Sequence, residues 1–429
     1  MSVTDSSLSK TCKASVEFLE KTILEKQSNI ETWFRHEWHK SPAPFYASID
    51  LRNAGFKLAP VDTNLFPAGF NNLNPDFDPL VIQAIQTVLE RRFPDARKVL
   101  IVPENHSRNL FYFKNLAKLY CLIKNSGYEV KVATIDKIED MPEFIPETEI
   151  PIEVARICES RICAGDFSPC LVLLNNDLSS GFPEIFKTVK HTILPPPQLG
   201  WYSRLKSTHF GHYSDIAAEF ADMIDIDPWL IDPFFEGCGE INFMDRSSDD
   251  AIEEQIATML NKIQKKYSEY GINKDPFVVV KADSGTYGMG VISVKKAEDI
   301  TTLNRKQRKK MAFSKGNNAI TNVLIQEGVY TNETVGGDLH VAEPVIYHID
   351  HHAVGGFYRV HKDRSEHENL NAPGAHFEPL PFTKSCINPD CKKHPNAKPN
   401  RFYTYGVISR LALLAAAREI NAVKKESAI

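Results

Sequence analysis

The sequence predicts an α/β protein with a parallel sheet, and three observations carry that prediction. Strand-length apolar runs alternate with helical patterns between residues 76 and 245, as in strand–helix–strand units. Past Pro276 the pattern changes to strands around a glycine-rich turn, so a body of different architecture follows. The chain has 429 residues, room for two or three domains.

Taken in order, residues 9–38 carry an apolar stripe at Val16, Leu19, Ile23 and Ile30, which predicts a helix. Residues 43–75 hold many Asn, Pro and Gly without helical spacing and read as a long loop, a kind that often carries function. Asp78-Pro79 marks a helix start, continued by Leu80, Val81, Ala84, Ile85, Val88 and Leu89. A strand at 99–102, a helix at 110–124 stopped by Asn125-Ser126-Gly127, and a strand at 128–133 follow. Further on come a strand at 170–174, a helix near 183–189 and a strand at 191–194 cut off by three prolines. Helices are expected over 203–225, 249–269 and 404–422, with a short basic one at 302–312. The 404–422 helix, with Val407, Leu411, Leu414 and Ala415 on one face, packs on its own core or on a partner, so a homo-oligomer stays open.

Composition narrows the function classes. Hydrophobic residues make up 42% and charged residues 24%, near the globular average. The net charge of −5 gives no bulk attraction to nucleic acid or anionic membrane. No apolar stretch is long enough for a signal peptide or a membrane span. The eight scattered cysteines read as reduced thiols, so the expected location is the cytoplasm.

Three constellations carry chemistry. Phe277 to Val294 reads as a strand ending in Lys281, a loop with Gly285, Gly288 and Gly290, and a second strand. Glycines let backbone N–H groups approach anionic oxygens, and lysine adds a point charge for phosphate. No Gly-Lys-Ser/Thr follows, so it is not a Walker A loop, and an ordinary hairpin fits it equally well taken alone. Next, Val323 to Ile325 reads as a strand ending in Gln326-Glu327, polar groups suited to adenine and ribose or a plain strand end. Then Phe357 to His361 reads as a strand with Arg359 near its middle, uncommon without an anionic partner. Asn369 and Asn371 after it, with Glu343 and Asp350 upstream, offer hard oxygens for magnesium. A turn is the commoner use of such asparagines.

In this order the segments resemble ATP-grasp ligases, and the later half resembles glutathione synthetases. The whole chain is still more similar to the proteobacterial glutamate–cysteine ligase family. That likeness is carried by residues 50–57 (DLRNAGFK), 60–72 (PVDTNLFPAGFNN), 103–108 (PENHSR), 200–204 (GWYSR) and 281–290. There is one departure: many ATP-grasp enzymes carry a late Glu-x-Asn, and the nearest match here is Asn369-Leu-Asn371 after Glu368.

The resemblance implies an ATP-grasp fold preceded by a Rossmann-like parallel-sheet substrate domain. The implied division is 1–75 (helix and substrate loop), 76–245 (substrate domain) and 246–429 (nucleotide-binding domain). It implies joining of glutamate to cysteine through an acyl phosphate, with ATP and magnesium, or manganese in its place. Lys281 and Arg359 are the expected catalytic cations. Ser284, Gly285, Thr286, Gly288, Gly290, Gln326 and Glu327 would join Lys281 on ATP. Asp50, Arg52, Asp62, Asn64, Glu104, Arg108 and Arg204 would hold the substrates, and Glu343, Asn369 and Asn371 the metal. Alternatives are a glutathione synthetase-like ligase or an ATP-binding regulator without turnover.

Weaker signals stay with their plain readings. Cys386, Cys391 and His394 lack a nearby fourth ligand for zinc. Arg305, Lys306, Arg308, Lys309 and Lys310 read as a solvated helix face, and His348, His351 and His352 around Asp350 as a polar turn.

Overall fold

The computed structural model describes residues 15–105, 108–239, 241–244, 246–285, 290–313, 320–380 and 401–426. Two helices, α1 (Val16–Glu25) and α2 (Gln27–Lys40), stand where one was expected. The Ser15 side chain caps α1 by accepting from the Phe18 N–H.

Strands β1 (Tyr46–Asn53) and β2 (Leu58–Asn64) then form an antiparallel hairpin with Asp50 opposite Asp62. This corrects the long loop expected over 43–75. Ala47, Ile49 and Leu51 alternate with Ser48, Asp50 and Arg52, the period of a strand. The apolar set is fully buried, and the polar set lines a cavity. A strand whose polar face meets a cavity instead of solvent carries more charge than strand composition suggests.

Helix α3 (Asp78–Arg92) takes proline in its first turn. The parallel sheet follows with β3 (Lys98–Pro103), α4 (Leu110–Asn125), β4 (Glu129–Thr134) and β5 (Ile152–Val154). A small hairpin, β6 (Arg156–Cys158) and β7 (Arg161–Cys163), intervenes before β8 (Leu171–Asn175) and β9 (Thr192–Leu194). The strand order is β5-β4-β3-β8-β9, all parallel. From β3 the chain builds outward one way through β4 and later the other way through β8, so a topological switch point lies between β3 and β8. The helix expected near 183–189 is only a 3-10 turn, Glu184–Lys187. So short a stretch cannot offset the cost of nucleating an α-helix.

Helix α5 (Lys206–Ile224), β10 (Phe235–Cys238), α6 (Asp249–Tyr270), β11 (Val278–Ala282), β12 (Val291–Val294), α7 (Arg305–Ala312) and β13 (Val323–Glu327) come next. Their strands make an antiparallel sheet ordered β10-β13-β11-β12. Last come β14 (Glu333–Val335), β15 (His340–Ile349), β16 (His352–His361), β17 (His376–Pro379) and helix α8 (Arg401–Glu426). The third sheet is ordered β17-β16-β15-β1-β2, with β14 also on β15. An early hairpin and late strands therefore share one sheet.

Helix α8 is buried at every position from Tyr403 to Ala417. It packs against α5, β1 and β2, so its apolar surface is spent on the chain's own core. Among the described residues no helix is long and apolar enough to cross a membrane, and five cysteines are free thiols. Cys386, Cys391 and His394 lie outside the described residues.

Candidate active site

The three sheets meet around a cavity of about 390 Å³. Strands β1 and β2 contribute Asp50, Arg52, Asp62 and Asn64; β15 and β16 contribute Glu343, Tyr347 and Arg359. Strands β11 and β13 add Val279, Lys281 and Gln326. The parallel sheet supplies Glu104 just past β3 and Asn175 and Asp177 at and past β8. Those are the carboxyl ends flanking the switch point, where open α/β sheets bind ligands.

Arg359 is the centre of the charge network. It stands opposite Glu343 in register, and its Nη1 donates to Asp50 Oδ2 at 2.7 Å and Glu343 Oε1 at 2.5 Å. Its Nε is buried and meets no acceptor. Burial disfavours the guanidinium charge, but Asp50 and Glu343 outweigh it and push the Arg359 pKa up. Burial likewise opposes ionisation of Glu343, yet Arg52 and Arg359 pull it below the usual range. Burial raises Asp50 against the pull of Arg359.

Arg52 lines the cavity but is occupied. It donates to Glu343 Oε2 at 2.9 Å, to the Val329 carbonyl at 3.2 Å and to the Glu368 carbonyl at 2.6 Å. It braces three segments together.

Lys281 differs from both. Its Nζ donates to the Val61 carbonyl at 2.7 Å and to Gln326 Oε1 at 2.8 Å, two neutral oxygens. Burial lowers its pKa to about 8, against the attraction of Asp62. Lys206 lies alongside, bonded to Asp62 Oδ1 at 2.8 Å and 4.0 Å above the Trp201 ring. Burial would raise Asp62, but Lys206 and Lys281 together hold it well below the carboxylate range.

The base of the glycine loop is pinned to α5. Asp283 accepts from the Ser207 N–H at 2.7 Å and the Ser207 hydroxyl at 2.6 Å, and its carbonyl takes the Lys206 N–H at 2.8 Å. That pinning sets the two lysines side by side. Gly285 and Gly290 have φ of +100° and +64°, conformations that suit glycine. Gly285 lines the cavity and Ser284 sits beside it in the chain. Thr286 and Gly288 lie outside the described residues.

Other expected site residues fall in different places. Glu327 lines the cavity, but its carboxylate accepts from Lys57 at 2.8 Å, Trp229 Nε1 at 3.0 Å and the Phe234 N–H at 2.9 Å. Its side chain is therefore engaged away from ribose. Glu104 Oε1 takes the Asp177 N–H at 2.8 Å, and Asn64 Oδ1 takes the Phe66 N–H at 2.9 Å. Asn369 Oδ1 closes a turn on the Asn371 N–H at 2.9 Å, both residues at the cavity wall.

Two cations stand apart from the cavity lining. Arg108 is exposed and pairs with Asp140 at 2.9 Å. Arg204 is buried against Glu419, the Thr63 carbonyl and His209.

Sequence reasoning missed Lys206, Trp201 and Asp177. Lys206 follows the 200–204 block by two residues, but a single lysine at a helix start has no signature of its own. A further regularity emerges only in three dimensions. Arg359 Nε, Gln326 Nε2 and Trp201 Nε1 are buried without acceptors, and all three residues line the cavity. Buried unpaired donors cost about 1–3 kcal/mol each, so the cavity suits a ligand rich in acceptor oxygens.

Comparison with known proteins agrees with this chemistry. The family profile described as Glutamate-cysteine ligase matches residues 20–420. A crystal structure of a candidate gamma-glutamylcysteine synthetase from Methylobacillus flagellatus KT is 50% identical, with a TM-score of 0.86 over 96% of this chain and 97% of that one. A D-alanyl-alanine synthetase A from Vibrio cholerae, at 12% identity and TM-score 0.31, covers 58% of this chain and 68% of its own. A glutathione synthetase-like effector from Globodera pallida, at 12% identity and TM-score 0.35, covers 87% and 82%. Scores that low carry no weight for the fold. No curated protein matches the chain.

Proposed function

The chain belongs to the glutamate–cysteine ligase family, which makes it a ligase acting at the first step of glutathione biosynthesis, and we propose how its cavity performs the joining. ATP lies between the two antiparallel sheets in an ATP-grasp arrangement. The amino acids lie against the carboxyl ends of a Rossmann-like parallel sheet, and the chain divides at about residues 75 and 245. The enzyme works in the cytoplasm.

A carboxylate is a poor acylating agent, so the γ-carboxylate of glutamate first attacks the terminal phosphorus of ATP. ADP leaves and an acyl phosphate forms. The cysteine amine attacks the acyl carbon, phosphate leaves with the bonding pair, and the amine's proton is lost. Phosphoryl transfer needs placement and charge neutralisation above all. Lys281 and Lys206 hold the phosphates, with Ser284 and Gly285 at the base of the glycine-rich segment. Arg359 turns its unpaired Nε to the transferring phosphoryl group and then to the oxyanion. Glu104 and Asp177 make the opposite wall favourable to substrate ammonium groups.

Carboxylates of Asp50, Asp62 and Glu343 and amides of Asn369 and Asn371 line the cavity and are the oxygen donors a hard cation takes, with Glu343, Asp50, Asp62 and Asn369 already accepting hydrogen bonds from neighbours. Glu343, Asn369 and Asn371 would hold magnesium, with Asp50 and Asp62 beside them. The ion supplies neutralisation of phosphate charge during transfer.

One observation carries this reading: a buried arginine with an unpaired donor lines the same cavity as two lysines. The test is phosphate release from ATP with magnesium and glutamate, with and without cysteine, and mass detection of the product. Cysteine-dependent release with γ-glutamylcysteine is the expected result. Release that needs a different amine overturns the substrate assignment, and binding without turnover overturns the ligase.

A further inference from the structure

Residues 365–368 form a strap between the two antiparallel sheets. The Glu366 carbonyl accepts from the Thr331 N–H at 3.0 Å. The His367 carbonyl accepts from Ser293 Oγ on β12 at 3.0 Å, and the Glu368 carbonyl from Arg52 Nη2 on β1 at 2.6 Å. The strap's own turn is closed by the Glu368 carboxylate, which takes the Ser365 N–H at 2.9 Å and the Arg364 Nη1 at 2.7 Å. Three successive carbonyls tied to three different segments fix where the His367 side chain emerges.

It lines the cavity. His367 shares the lining with Val61, Val279, Ser293 and Val329. Val279 stands opposite Ser293 on one side and Gln326 on the other, so these three form one row across the sheet. Lys281 is two residues further along the same strand and faces the same side. Two residues of strand span roughly 6.6 Å. The cavity thus offers an aliphatic side chain flanked by a hydroxyl and an amide at one step and a cation at the next. The His367 ring meets Phe277 edge to face at 5.9 Å and Tyr330 at 6.4 Å, and Ser365 Oγ lies 3.1 Å from its Nδ1, contacts that hold its orientation.

We propose that His367 is a specificity-determining residue of the nucleotide site, its imidazole covering the purine face against Val279 and Val329. The proposal rests on the reading that ATP occupies this cavity. A planar base suits Val279 and Val329 beneath an aromatic cover, with Ser293 and Gln326 at its edges as hydrogen-bonding partners, and the strap holds that cover in place before the nucleotide arrives. The phosphates then reach Lys281 and Lys206.

The experiment is calorimetric titration of the whole protein with a non-hydrolysable ATP analogue and, separately, with tripolyphosphate, both with magnesium. His367→Ala should weaken the ATP analogue on the order of tenfold, the value of one lost base–aromatic stack. It should leave tripolyphosphate affinity unchanged, and His367→Phe should restore the analogue. Thermal melting of both variants checks that the strap still holds. Equal affinity of wild type and His367→Ala for the analogue overturns the proposal. Equal losses for both ligands also overturn it, since His367 would then act only by supporting the strap. Failure of the analogue to bind wild type would sink the ATP reading itself, and is a different observation.

Discussion

Arg204 and Arg359 are both buried and both face carboxylates, yet they are wired differently. Arg204 spends every nitrogen. Nε and Nη2 donate to Glu419 at 2.8 and 3.0 Å, and Nη1 donates to the Thr63 carbonyl at 2.7 Å. Arg359 shares one nitrogen, Nη1, between Asp50 and Glu343, while Nε has no acceptor. The two lysines repeat the contrast. Lys57 is sealed against the Glu327 carboxylate at 2.8 Å and lies 4.5 Å over the Trp229 ring, whereas Lys281 donates to two neutral oxygens and lies 5.3 Å over the Phe210 ring. Buried charge alone does not mark a working residue. Unspent hydrogen-bonding capacity at a cavity wall does, because there a ligand can reach it.

The largest effect should follow from removing the unspent arginine. Arg359→Ala is expected to lower kcat about a thousandfold, within the range seen for arginines on a transferring phosphoryl group. Arg359→Lys keeps the charge but loses the planar fork, and should recover only part of that. Phosphate release at saturating substrates measures it. A kcat near wild type for Arg359→Ala would erase the distinction between the two arginines.

Arg204→Ala tests the other side. Breaking a buried pair leaves Glu419 uncompensated, so a stability loss of about 3–5 kcal/mol is expected in denaturant unfolding. Turnover per folded molecule should change little. Loss of turnover with stability intact would return Arg204 to the substrate site expected from the sequence. Acid sharpens this test. Burial opposes ionisation of Glu419, but Arg204 and His209 hold its pKa down to about 2. A folded pKa below the unfolded one stabilises above the unfolded value, and that stability is lost as pH falls toward the folded one. The wild type should therefore lose stability between about pH 4.5 and pH 2, and Arg204→Ala should lose less over that window.

This division also explains what could be read in advance. The parallel sheet announced itself, because β3, β4 and β8 are apolar runs set apart by helix stops such as Asn125-Ser126-Gly127. Lys281 stood out at a strand end before a glycine-rich loop, and Arg359 because a charge inside an apolar strand is conspicuous. The β1–β2 hairpin was hidden by its chemistry, since Asp50, Arg52 and Asp62 made a strand look like loop. Arg204 and Arg108 were indistinguishable from site cations, because each belongs to a block shared with a family. What separates them is the position of Glu419 and Asp140, 215 and 32 residues away. Lys206 entered the site through the Asp283–Ser207 contact, a tertiary bond that no local pattern encodes.

The smallest effect concerns the unspent lysine. Burial brings Lys281 to about pKa 8, even though Asp62, Asp50 and Asp283 favour its charge against Lys206. Only the charged form attracts phosphate, so ATP affinity should fall as pH rises through that value. Between pH 7.5 and 8.5 the charged fraction drops about threefold, and the KM for ATP should rise by about as much. Bound phosphates favour the ammonium form, so binding near pH 8 should take up a proton. Titrations in buffers of different ionisation enthalpy detect that uptake, and Lys281→Met should abolish it. Stability should move the opposite way. A lysine whose folded pKa lies below its unfolded value binds fewer protons folded, so folding gains as pH climbs from about 8 toward 10.5. Affinity falling while stability rises identifies a buried cation held ready for a ligand. If neither changes from pH 7 to 9, burial does not weaken the Lys281 charge, and the contrast between sealed and unspent charge fails at its second pair.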